Sequence, residues 1–437
     1  MRGVALFSCG RVARVVAVRP YLSLRHRDFR WLWAAQLISL TGSQMQAAAI
    51  DWHVYLLTRS PLALGMVGLS RVIPIVSLSL LGGVVADRYD RKRVMLATQL
   101  TMSAVAALLG FLTLGRHETI LTLYLLTGMT SAAGAFDNPA RQALVPRLVP
   151  REDLPGALAM NLTMFHAGMI GGPAIAGVLI AVAGEGTRGL SWIYLSNAAS
   201  FLTVVTTLLM MRASGTIETT GVAQESPWVS MRQGLRFVFK TPVMVWTMAL
   251  DFVATFFSGA NALLPIFADQ VLRVGAFGFG WLRAAPALGA LVGSLYTSLR
   301  PIPARQGRVF LWAVGAYGAA TVVFGLSRSY TLTFLALAAT GLADLVSTVV
   351  RQIVRQTITP DAMRGRMTSV NMIFFMGGPQ LGELEAGLVA SLFASAAVGA
   401  SVSVVSGGVA TILVAALCAR RAKVVRDYGM ETPAPPS

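Results

Sequence analysis

Five carboxylates stand inside stretches that are otherwise apolar: Asp51, Asp251, Asp344, Glu383 and Glu385. Arg71 and Arg283 share that setting. An ionised acid at the centre of a membrane helix costs about 2.5–3.5 kcal/mol, so such residues face a cavity, pair with a cation or carry protons. Asp51 and the Glu383/Glu385 pair are the preferred proton carriers. The two glutamates lie about 200° apart around a helix, so one is expected in a site and the other on a partner or at a gate. Asp344 precedes Arg351 by seven residues on one helical face, which suits a structural ion pair. Asp251, at the start of its segment, is placed shallow enough to meet lipid headgroups. For the two arginines both roles stand, binding an anionic substrate or compensating the acids.

Other chemistries lack their residues. None of the three lysines, Lys92, Lys240 and Lys423, follows a glycine, so there is no phosphate loop and no ATP site. No HExxH pattern or Cys/His cluster marks a metal, and His53 and His166 stand alone. A nucleophile, base and metal constellation is also missing, which argues against an enzyme. No cofactor is expected, and an ion gradient remains as the source of power. One proton moving down 100 mV and one pH unit releases roughly 3.7 kcal/mol. That sustains a gradient of roughly 400-fold for a neutral substrate.

The elements that must hold these residues are membrane helices. Hydrophobic residues make up 55% of the 437 and charged residues 13%, with a mean hydropathy of +0.65. Val94 to Gly115, Gly189 to Met211 and Val309 to Ser327 carry no charge over 22, 23 and 19 residues. A helix needs roughly 20 to cross the hydrocarbon. Twelve spans are expected, near 30–57, 62–86, 94–115, 119–137, 157–183, 190–211, 243–268, 276–298, 309–327, 330–350, 367–394 and 396–419. Of 36 lysines and arginines, 29 fall in the two tails and in alternate loops, which places both termini in the cytoplasm. The formal charge of +17 therefore sets topology and does not point to nucleic acid. Residues 1–20 do not read as a signal peptide, and Cys9 and Cys418 are expected as reduced thiols near the cytoplasmic ends.

A polar stretch from Arg212 to Thr241 divides the spans six and six, and WVSMRQGLRFVFK within it suits an amphipathic surface helix. The halves repeat at an offset of 210 residues. Arg141-Gln142 matches Arg351-Gln352, Pro150 matches Pro360, Asn161 matches Asn371 and Gly177 matches Gly387. Such repeats imply two bundles rocking about a central site. The expected division is a basic tail 1–29, a bundle 30–211, a cytoplasmic linker 212–242, a bundle 243–419 and a tail 420–437.

Between spans 2 and 3 the chain reads GGVVADRYDRKRV, six charges in seven positions. Its second-half counterpart, RPIPARQGR, has Ala304 where the first half has Asp87. Span 5 carries Gly168, Gly172, Pro173, Ala176 and Gly177, a smooth stripe that lets a helix approach closely, and Ala285, Gly289 and Gly293 form a matching stripe on span 8. Gly83-x-x-x-Asp87-Arg88-x-x-Arg91-Lys92 resembles the loop signature of the major facilitator superfamily, with Asp90 where the family has glycine. SPLALGMVGL, FDNPARQALVPRLVPREDLPGALAMN, QGLRFVFKTP and ALLPIFADQVL are similar to the enterobactin-exporter-like branch.

The resemblance implies an all-α polytopic membrane protein, twelve helices in two pseudo-symmetric six-helix bundles, the major facilitator fold. It implies that Asp87, with Gly83, Arg88, Arg91 and Lys92, latches the bundles when the cytoplasmic side is closed. With Pro173 included, span 5 resembles the antiporter motif, which favours export by proton exchange. Siderophores or amphipathic drugs are the implied substrates. The expected protein is a transporter in the cell membrane, monomeric, with a small molecule, protons and the bilayer as partners. The rival readings are an uptake porter and a non-transporting sensor on a permease frame.

Overall fold

Ser60, Asp90 and Thr119 each turn a side-chain oxygen onto a backbone N–H three residues ahead, and each starts a long helix there. The structure, a computed structural model, describes residues 20–184, 186–212, 227–299, 305–360 and 363–429. Cys9 and most of the basic tail, residues 213–226, the stretch 300–304 with Ala304, and residues 430–437 lie outside them, as does the Asn371 side chain. The described residues contain no strand.

The first half holds α1 (Arg27–Thr58), α2 (Pro61–Arg88), α3 (Arg91–Leu114), α4 (Ile120–Leu144), α5 (Leu154–Val182) and α6 (Thr187–Met210). A shorter helix, α7 (Pro227–Lys240), precedes the second half. That half begins with α8 (Pro242–Phe257) and the short α9 (Leu264–Ile266), followed by α10 (Gly275–Leu299) and α11 (Gln306–Leu326). It continues through α12 (Tyr330–Ile358), α13 (Arg364–Ser391) and α14 (Ala396–Arg421) to a last turn, α15 (Lys423–Arg426). Among the described residues, nine stretches are long and apolar enough to cross a membrane. The helices α1, α4 and α13 match them in length but carry more polar side chains, so twelve spans are consistent with the structure.

The seventh span differs from its apolar, uninterrupted sequence. It breaks after Phe257, turns through a 3-10 segment, and resumes at Leu264 before a π turn at Phe267–Val271. Two residues account for the break. Pro265 lacks a backbone donor and cannot continue a helix through its own turn. A Cβ on Gly259 would lie 2.3 Å from the Gly382 carbonyl carbon, so the broken segment gives α13 room to pass.

Among the described residues, the two halves share a hydrophobic core at one end. At the end where the described termini lie, each half has its own core: Phe29, Leu32, Met95 and Leu144 in one, Val243, Leu250, Phe310 and Val350 in the other. At the opposite, far end a single cluster joins Trp52, Tyr55 and Tyr194 to Phe267, Phe279 and Phe324. Two helix pairs make this seam, α2 with α13 and α5 with α10. Each crosses glycine on glycine. A Cβ on Gly177 would stand 2.9 Å from Gly280 Cα, and one on Gly387 would stand 2.9 Å from Gly65 Cα. The repeat-related residues Gly177 and Gly387 thus make equivalent crossings.

Candidate functional site

Four of the intramembrane charges converge at the far-end seam. Asp51 on α1 and Arg71 on α2 come from the first half, and Arg283 on α10 and Glu383 on α13 from the second. Arg71 Nη2 donates to Asp51 Oδ1 at 3.0 Å, and Arg283 Nη1 donates to Asp51 Oδ2. Arg71 Nη1 lies 3.7 Å from Glu383 Oε2. Asp51 is 3% exposed and Glu383 7%, so two cations and two carboxylates compensate one another away from water. Two of the three pairs, Asp51–Arg283 and Arg71–Glu383, cross from one half to the other. Gly68 makes the approach of α13 feasible, because a Cβ there would lie 3.0 Å from Glu383 Oε2 and 2.5 Å from Gln380 O.

Glu385 does not stand with Glu383. It is half-buried, and its Oε2 has no hydrogen-bond partner among the described residues. Asp344 lies 3.7 Å from Arg351, whose Nη1 also pairs with Asp251. Asp251 differs from the headgroup-facing residue expected. It is buried, because α8 starts against the second-half core and Arg351 reaches it from α12. Gln352 is exposed and accepts from Arg355.

Nearer the far-end surface Tyr55 and Arg59 both donate to Asp269 Oδ2, and Gln270 Nε2 donates to Tyr55 Oη at 3.1 Å. This second link between the halves was not anticipated, nor were two buried acids. Glu118 Oε1 lies 3.7 Å from His53 Nε2, while His53 Nδ1 meets Tyr194 Oη at 3.1 Å. Asp137 Oδ1 accepts from Thr98 and Gln99, both at 2.9 Å.

At the terminal end the loop after α2 is tied to its own half. Arg91 Nη1 donates to Ala143 O at 3.0 Å, and Lys92 Nζ to Met211 O at 2.9 Å, capping the last carbonyls of α4 and α6. Asp90, in place of the usual glycine, accepts from Arg93 N at 3.0 Å and caps α3. Asp87 and Arg88 are exposed, and a Cβ on Gly83 would meet nothing within 4 Å. The small residues of α5 do not face the stripe on α10. Gly168 and Gly172 receive Leu40 and Gln44 of α1, whereas Gly289 and Gly293 receive Ala338 and Leu345 of α12. The Pro173–Gly177 turn instead packs on α10 at Gly280 and Ala276, before its small-residue stripe begins.

Known proteins share this fold. The transmembrane secretion effector family matches residues 18–431. The chain is similar to the enterobactin exporter EntS of Shigella boydii serotype 18, 30% identical over 347 residues, covering 79% of this chain and 81% of that one. EntS of Escherichia coli O81 matches to the same extent. Among solved structures, an inward-facing, unoccupied bacterial homologue of the human lysosomal transporter Spinster superposes with a TM-score of 0.72 at 16% identity, covering 93% and 99% of the two chains. An inward-facing bacterial homologue of the iron transporter ferroportin gives 0.64 at 17%, covering 89% and 98%. At these identities the structural likeness is one of fold.

Proposed function

The chain belongs to the transmembrane secretion effector family of major facilitator permeases, and from that premise we propose that it exports a small molecule in exchange for protons. The family and its curated relatives are transporters, not enzymes. The observation that carries the exchange reading is the cross-half network of Asp51, Arg71, Arg283 and Glu383.

With both termini in the cytoplasm, as the charge asymmetry favours, the far end is extracellular and the structure is the inward-facing state. Opening to the outside then requires Asp51 to leave Arg283 and Glu383 to leave Arg71. In that open state the carboxylates meet water and take up protons. In the proposed exchange the proton leaves inward as the far end closes and the arginine pairs re-form. The empty carrier therefore rests closed to the outside, and substrate binding from the cytoplasm drives the opening. The loop around Asp87 serves the other half of the cycle, holding the cytoplasmic ends together when the far end parts. The two bundles complete this cycle within one chain, so a monomer suffices.

The exporters among its relatives carry enterobactin, which favours a siderophore-like compound, with amphipathic drugs as the second class. The test compares intracellular and secreted metabolites in cells with and without the gene, in iron-replete and iron-starved medium. A compound trapped inside the deletion strain and released on complementation is the expected outcome. Loss of accumulation from the medium, with no compound trapped inside, would indicate uptake instead.

A further inference from the structure

The internal repeat supplies its own control for a second site. Arg141 and Arg351 are equivalent residues, 210 positions apart. Arg351 has two carboxylates, Asp251 and Asp344, and the cavity beside it is closed down to about 20 Å³. Arg141 has none among the described residues. Its guanidinium donates to two neutral amides, Gln36 Oε1 at 3.3 Å and Asn138 Oδ1 at 2.5 Å. The residue at Asp344's repeat position is Gly134.

Beside Arg141, in the terminal-end part of the first half, lies a cavity of about 150 Å³ walled by Phe29, Trp33, Leu40, Met164 and Phe165. An apolar cavity of about this size holds one benzene ring. Gln36 also lines it. It is 5% exposed, and its Nε2 is buried with no hydrogen-bond partner. A buried donor left unmade in this way is unfavourable until an acceptor arrives. An uncompensated guanidinium, an idle amide donor and ring-sized aromatic walls therefore stand together.

We propose that this cavity between α1, α4 and α5 is a binding subsite for an aromatic ring bearing an anionic oxygen group, the aryl carboxylates being the simplest members. The ligand's oxygens take the place that Asp251 fills in the second half. Arginine's planar fork suits a carboxylate, and the ring stacks among Phe29, Trp33 and Phe165. The inference deepens the export reading by naming a chemical class for part of the cargo, which enters here from the cytoplasmic side.

The test is direct binding of 4-fluorobenzoate to the purified full-length protein in detergent, followed by fluorine NMR. It needs no transport, so failure of the export reading leaves its result intact. Saturable binding is expected, competed by benzoate but not by acetate, benzamide or inorganic phosphate. Arg141→Gln should weaken it tenfold or more, with Arg141→Lys intermediate. Binding unchanged in Arg141→Gln overturns the proposal. So does competition by acetate equal to that by benzoate, which marks an anion site without a ring pocket, or stronger competition by phosphate, which marks a headgroup site. If Arg141→Gln fails to fold by gel filtration, Phe165→Ala replaces it. That residue is 46% exposed, and its loss removes one wall. Unaltered affinity there counts against the site equally.

Discussion

Two carboxylates and two arginines can sit together out of water only because each is answered by the others. Deleting one partner of such a buried pair costs about 3–5 kcal/mol, since the remaining charge stays buried. The link between Asp269, Tyr55 and Arg59 nearer the surface is weaker. The Arg59 and Asp269 side chains are 54% and 36% exposed, and such pairs contribute about 0.2–1 kcal/mol. Asp269→Asn is therefore expected to loosen the far end without unfolding the protein. A cysteine placed at Gln270 should then react with an impermeant maleimide on the order of two- to fivefold faster; an unchanged rate contradicts a closing role for this contact. The acids of the main network were legible in the sequence because a charge amid apolar residues stands out. Asp137, Glu118 and Asp269 were not, because each falls at the edge of an apolar run. There a charge is unremarkable until the fold turns it inward.

At the scale of the helix, the seam depends on surfaces without side chains. Gly177 and Gly280 on one side, and Gly65 and Gly387 on the other, let backbones touch at the far end. Gly177→Val should separate α5 from α10, and overpacking of this kind costs about 1–3 kcal/mol. Export is expected to fall by at least tenfold while the protein still reaches the membrane, measured as efflux per molecule expressed. Wild-type efflux would mean that the crossing is not needed for the cycle. The all-helical membrane class was readable from hydropathy, and the twelve expected spans are consistent with the structure, nine of them by length and composition. The break in the seventh span was not, because Gly259 and Pro265 sit in an apolar run whose composition is that of an unbroken helix. The pairing of the small-residue stripes was misjudged for a related reason. Spacing along one helix states that a face is smooth, and only packing states which neighbour uses it.

For the molecule as a whole, the proposed inward-facing reading accounts for Asp87 having no partner across the halves among the described residues. Its proposed role belongs to the state in which the terminal end is shut. Asp87→Asn should change the stability of the described state by less than about 0.5 kcal/mol, as an exposed substitution does. Export should nevertheless be impaired, and transport at the wild-type rate would remove the latch. The central claim is exchange of cargo for protons through the far-end network. It is tested most directly in inside-out membrane vesicles acidified by respiration, with internal pH followed by a quenched dye. Adding the compound that the deletion strain retains should collapse the pH gradient in wild-type vesicles and leave it intact with Asp51→Asn. Uptake of the compound with no effect on the gradient, or full proton exchange by Asp51→Asn, would contradict the account.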